Sequence, residues 1–155
     1  MENTIRELIP VNIKTTLEGI TIANDYGNDI ASVQRWEQSG NSLKLVPCTI
    51  INLAPEDREQ RPGLKTSNSL TIMIDLWVIH DKTVYPGSTD SYLNNLLGDI
   101  EKSLMADGTR GGIAVNTKII RVIPFESTQG QPYAGLIIEI KIEYRTNITD
   151  PTTAV

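Results

Sequence analysis

The sequence predicts an α+β domain: a mainly antiparallel sheet of about four to five strands with two helices packed on one face. Three stretches carry this expectation. In the first, Leu70, Ile72, Ile74, Leu76 and Val78 alternate with Thr71, Met73, Asp75, Trp77 and Ile79, the period of a strand with one core face and one mixed face. In the second, Leu136, Ile138, Ile140, Ile142 and Tyr144 alternate with Glu139, Lys141, Glu143 and Arg145, a strand with one buried and one wet, salt-bridged face. Between them, from Asp90 to Ala106, Leu93, Leu96, Leu97, Ile100 and Leu104 recur at spacings of three and four, which puts them on one face of a helix.

Taken in chain order, the first element runs from about Thr4 to Ile20. Ile5, Leu8, Ile9, Ile13, Leu17 and Ile20 give it an apolar face, with Thr4 as N-cap and Glu7 three residues on. Pro10 removes a backbone donor, at a cost of about 3 kcal/mol in a helix interior, and a kink is expected there. A first strand follows near Ile30 to Glu37. A turn at Gly40 to Ser42 then leads, as a hairpin, into a second strand from Leu43 to Leu53. Pro47 lacks a ladder donor and makes that second strand an edge or a bulged one. Residues 54–69 read as a long polar loop carrying six charges, Glu56, Asp57, Arg58, Glu59, Arg61 and Lys65, and two prolines. A connection of that length between strands is a functional or a mobile one.

After the third strand, a YPGST turn at Tyr85 to Thr89 leads to the second helix, capped by Ser88, Thr89 or Asp90. Asp107-Gly108 and the following Thr109-Arg110-Gly111-Gly112 stop it. The fourth strand spans about Thr117 to Phe125, and Gln129 to Pro132 turns it into the fifth. Residues 148–155 are too polar to extend a core and read as a tail. A chain of 155 residues holds one core, so residues 1–155 are expected to form a single domain.

Composition narrows the function classes. The charge of -5 argues against broad gripping of phosphate backbones, which needs clustered Lys and Arg. A wall past which DNA slides tolerates that sign. No apolar run approaches the roughly 20 residues of a spanning helix, and no signal-peptide pattern opens the chain, so no membrane is expected and residence in a cytoplasm is. The single cysteine, Cys48, lies in an apolar run and reads as a small buried hydrophobe.

Candidate chemistry is sparse. His80 is the sole histidine, and with Asp75 or Asp81 it is the best general base a small hydrolase would have here. One His and one Cys make a zinc site improbable. Asp99 and Glu101, two apart on a helix, point to different sides. The glycines from Gly108 to Gly112 end a helix instead of opening one and meet no nucleotide fingerprint. Asn147-Ile148-Thr149 matches a glycosylation sequon, which has meaning only in a secreted chain. Trp36 and Trp77, both in strand segments, read as core fillers ahead of interface anchors. No catalytic residue, cofactor or metal is therefore expected, and the chain reads as an interaction protein and not an enzyme.

The run Leu97, Asp99, Ile100, Glu101, Leu104, Asp107, Thr109, Gly111, Gly112, Ala114 and Thr117, followed by IIEIKIEYRT and the ending TDP, resembles the tail terminator, or tail completion, proteins of long-tailed bacteriophages. The segments IRELIPVNIKTTLEGI and IDLWVIHDK are also similar to that group, so the likeness covers most of the chain. The resemblance implies a small α+β virion protein, assembled in the host bacterial cytoplasm, that forms a homo-oligomeric ring, commonly hexameric, on the tail tube. Such a ring ends tube polymerisation and meets the neck connector, with sheath protein as a further neighbour and DNA passing through the lumen without specific binding. The family brings no catalytic residues to carry over. On this reading the charged stretch Glu56, Asp57, Arg58, Glu59, Arg61 and Lys65 is the candidate contact to neighbouring subunits or tail proteins. The alternative is another neck or head–tail joining protein.

Overall fold

The computed structural model describes residues 2–36, 45–79, 86–126 and 132–155. Its elements in chain order are α1 (Ile5–Glu18), a short 3-10 turn (Ile22–Asn24), β1 (Ser32–Arg35), β2 (Cys48–Arg61), β3 (Lys65–Ile79), α2 (Thr89–Met105), β4 (Asn116–Glu126) and β5 (Tyr133–Asn147). The fold class is α+β, as expected from the two periodicities. The five strands lie in the order β1-β2-β3-β5-β4. Every neighbouring pair is antiparallel except β1 with β2, which is parallel. β3 and β4 therefore run the same way with β5 inserted between them, a split β-α-β unit closed by α2.

The long alternations do what their period requires. Leu70, Ile72, Ile74, Leu76 and Val78 of β3 face the same layer as Leu136, Ile138, Ile140, Ile142 and Tyr144 of β5, and all ten are buried. Ile5, Ile9, Ile13, Leu17 and Ile20 from the first helix, and Leu93, Leu96, Ile100 and Leu104 from α2, close onto them in one cluster. Fully burying one such aliphatic side chain stabilises the fold by about 1.5–3 kcal/mol, so this one seam supplies most of the driving force. The helices are also pinned to each other: Ser103 Oγ donates to Thr16 O at 3.2 Å. Asp99 accepts from Gly27 N and Asn28 Nδ2 in the connection after α1. Lys102 donates to Asp25 O and lies 4.8 Å over the Tyr26 ring.

Three expectations are corrected. First, β1 and β2 do not form a hairpin: Ser32 to Arg35 pair in parallel with Cys48 to Ile51. Parallel neighbours need a crossover, which a turn signal cannot reveal. The turn at Gly40 to Ser42 and the start at Leu43 lie outside the described residues, as do His80, Asp81, Tyr85 and the Gln129-Gly130 turn.

Second, the long polar loop at 54–69 is strand. β2 continues to Arg61 and β3 begins at Lys65, joined by Pro62, Gly63 and Leu64. Gly63 and Leu64 take positive φ of 81° and 57°. The reason the pattern hid this lies in the other side of the ladder: β3 pairs with β5 over the same residues, Lys65 with Asn147 through Ser69 with Glu143. Backbone groups are thus paired without any apolar face.

Third, the tail at 148–155 docks on its own chain. Ala154 bridges Thr146, Val155 N donates to Arg145 O, and Pro151 O accepts from Ile5 N at 3.0 Å. The tail thereby fills the side of β5 that β4 leaves free beyond Glu143.

The first helix runs through Pro10, from Ile5 to Glu18, with Thr4 Oγ1 accepting from Glu7 N as the expected cap. Pro10 is itself buried.

Candidate interaction surface

Beyond the part of the sheet spanned by β4, strands β2, β3 and β5 continue as a three-stranded arm built from Glu56–Arg61, Lys65–Ser69 and Glu143–Asn147. Strand alternation splits the six charged residues singled out in the sequence. Glu56 pairs with Leu70, so Glu56 and Arg58 face the helix side, whereas Asp57, Glu59, Arg61 and Lys65 face the open side.

Glu56 is occupied within the chain. Its side chain is only 7% exposed, and it accepts from Tyr144 Oη at 2.6 Å and from Arg58 Nε at 2.6 Å, with Arg6 Nε 3.5 Å away. A bulge between Leu53 and Glu56 turns this carboxylate inward. Burial, and then the adjacent Glu56 carboxylate, push the Tyr144 phenol well above its ordinary range, so it stays a donor. The Glu56 hydrogen bond holds Arg58 firmly protonated. Glu56 is therefore the anchor of the arm against the start of α1 and not a free contact.

The open side of the arm is a shallow polar groove of about 320 Å³. Ser67 and Ser69 of the central strand form its floor, and Asp57, Glu59, Arg61, Glu143 and Arg145 stand on either side. The tip is apolar and outward: Leu64 is 61% exposed, and its carbonyl accepts from the backbone of Ile148, another exposed apolar residue. Sequence reasoning missed Leu64 and Ile148, since a single apolar residue in a polar stretch gives no periodic signal.

Other candidates resolve into structure. Asp107 accepts from Thr109 N, Thr109 Oγ1 and Gly111 N, and the Thr109 hydroxyl foremost holds its carboxyl below the usual range. Arg110, with φ 52° and 1% exposure, donates through Nη2 to the carbonyls of Leu104 and Asp107 and so satisfies the end of α2. The loop at 107–112 is thus a helix stop and not a phosphate cradle. Asp75 lies half-buried on the open face, bonded by Asn52 Nδ2 at 3.2 Å, and burial raises its pKa.

The two tryptophans part company. Trp77 packs edge-on against Phe125 at 4.6 Å and Tyr133 at 6.1 Å on the open face. Gly135 lies between Trp77 and Phe125 in the register, and a Cβ there would meet Leu76 O at 2.0 Å. Trp36, expected in the core, is 58% exposed with φ 50°. It follows the last residue of a four-residue strand, and among the described residues that strand is the edge of the sheet. Among the described residues no three Asp, Glu, His or Cys side chains gather as a metal site, and no helix is long and apolar enough to cross a membrane.

The molecule is thus an α+β domain whose conspicuous surface feature is a polar, three-stranded arm with an apolar tip. No protein-family model matches this sequence, and no curated protein matches it.

Proposed function

We propose that this protein is a structural virion protein that closes as a ring on the end of a phage tail tube, stops tube polymerisation and offers a face to the neck connector. The observation that carries the reading is the arm. Full ladders on both sides of β3 build it, yet beyond Glu56 it contributes little to the apolar core and turns charge and Leu64 outward. An element so constructed is suited to a partner and not to the fold's own stability.

Two further features support the reading. The residues of the resemblance from Leu97 to Thr117 form one continuous unit: the second half of α2, the stop knitted by Asp107 and Arg110, and the entry to β4. The charge of -5 suits a passage through which DNA moves without sticking.

The test is the mass of the protein by light scattering, alone and with its tail-tube protein, for the full chain and for a shortened arm. Because Glu59 pairs with Ser67, residues 60–66 can be replaced by Asn-Gly, the dipeptide favoured in two-residue hairpins. The expected result is a folded variant, unchanged in circular dichroism, that no longer joins the tube or controls tail length. Full activity of that variant in tail assembly removes the role of the arm. A full chain that binds the connector but not the tube protein replaces the terminator reading by the head–tail joining one.

A further inference from the structure

We propose that successive copies of this chain join edge to edge, with the outer edge of β2 in one copy pairing antiparallel to the outer edge of β4 in the next, so that one sheet runs through the assembly. The inference deepens the ring reading above by naming the surfaces that meet.

Among the described residues, both edges are open. β4 pairs only with β5, and β1 covers β2 only from Cys48 to Ile51, which leaves the stretch to Arg61 without a neighbour on that side. Strand direction then fixes the geometry. β2 runs with β5 and against β4, so a second sheet set beside the first, helices on the same side, brings β4 and β2 together antiparallel. That is the arrangement an exposed ladder accepts most readily.

The side chains select a register. Asp57 and Glu59 are two residues apart on the open face, opposite Ser69 and Ser67. Lys118 and Arg121 are three apart, but the irregularity between Ile119 and Arg121 absorbs one residue: they oppose Lys141 and Glu139, two apart and also on the open face. Setting Arg121 against Asp57 therefore sets Lys118 against Glu59, in the direction antiparallel pairing demands. Glu56 to Arg61 then lie along Asn116 to Val122 with Ile120, exposed in the single chain, as the bulged residue. All four charged side chains are exposed and reach outward, although Arg121 and Lys118 already touch Glu139 and Glu143.

The same charges exclude the alternatives. Pairing β4 with β4 of a second copy about its midpoint sets Lys118 against Arg121, and pairing β2 with β2 sets Asp57 against Glu59 or, one step along, Glu59 against itself beside Asp57–Arg61 pairs, so these symmetric registers oppose like charges. The head-to-tail contact matches acid with base at both positions and opposes no like charges. Repeated with rotation, such a contact closes a ring.

The experiment uses the charge pattern itself. Asp57→Lys with Glu59→Lys in one variant, and Lys118→Glu with Arg121→Glu in another, are each expected to weaken self-association at least tenfold by light scattering, with or without tail-tube protein. An equimolar mixture of the two is expected to assemble as wild type, because each carries the edge that complements the other. That rescue requires both variants to be folded. Two variants that assemble normally, or a mixture that stays dissociated, overturn the pairing, as does a wild type that is monomeric both alone and with tube protein. A wild type that assembles by this rule but ignores tube protein leaves the pairing standing and removes the terminator reading alone.

Discussion

Arg110 is a cation held where cations are rarely found. Burial lowers its pKa, and what keeps it there is the negative end of α2, where it donates to the Leu104 carbonyl and to that of Asp107 just beyond. Replacing it by Met keeps the bulk and removes the donors, and is expected to cost about 2–3 kcal/mol, read by urea unfolding. Asp75 works in the opposite sense. Its folded pKa lies above the ordinary value because burial disfavours the carboxylate, so its contribution is fully present below the unfolded pKa and is lost as pH rises through the folded one. Asp75→Asn retains an acceptor for Asn52 and is expected to raise Tm at neutral pH. Near pH 3, below the ordinary carboxylate pKa of about 3.9, it should leave Tm almost unchanged. A differential scanning series against pH checks both halves. Neither role was legible in the sequence. Arg110 reads as part of a Gly-rich stop, and a lone Asp between apolar residues reads as a solvated charge.

Legibility differs sharply among the elements. Both helices and the strands at Leu70–Val78 and Leu136–Tyr144 are announced by apolar residues at a fixed period, since each buries one face in a single core. The arm from Glu56 to Ser69 has strand period too, but polar residues on both faces, and polarity without a buried face is how a loop reads. What makes it strand is β5, nearly eighty residues away, and a pairing partner that distant leaves no local trace. β1 lies within the stretch where the sequence predicts a strand, Ile30 to Glu37, but its pairing is hidden, because its partner is parallel and a turn signal implies an antiparallel one. The register of β5 with its two neighbours can be tested at Gly135, where an added Cβ would strike the Leu76 carbonyl and the Phe125 ring. Gly135→Ala is expected to destabilise by about 2–3 kcal/mol, in line with overpacked cores. Phe125→Ala in the same chain should not restore stability, because Leu76 O belongs to the backbone; thermal unfolding of both variants decides.

For the whole molecule, the two ends of the chain are structural neighbours. Ile5 hydrogen-bonds Pro151, and Ala154 and Val155 complete the flank of β5. Asp150 organises that return by accepting from Thr152 N and the hydroxyls of Thr152 and Thr153, and the Thr152 hydroxyl foremost depresses its carboxyl pKa. Removing residues 150–155 is expected to cost about 1–2 kcal/mol, from the loss of a few hydrogen bonds worth roughly 1 kcal/mol each. Hydrogen exchange should quicken at Ile5 and at Arg145 to Asn147 first. The arm and the core are thereby tied at three places: the Glu56 anchor, the docked tail and the central β3–β5 ladder.

The place of β5 also governs when the protein becomes competent. Each of its neighbours in the sheet is made by the ribosome before it, and until it emerges β3 and β4 have no strand between them. Nascent chains therefore lack the joined sheet on which both outer edges depend. On the edge-to-edge pairing proposed above, joining waits for β5, which keeps chains still lacking it from polymerising with each other.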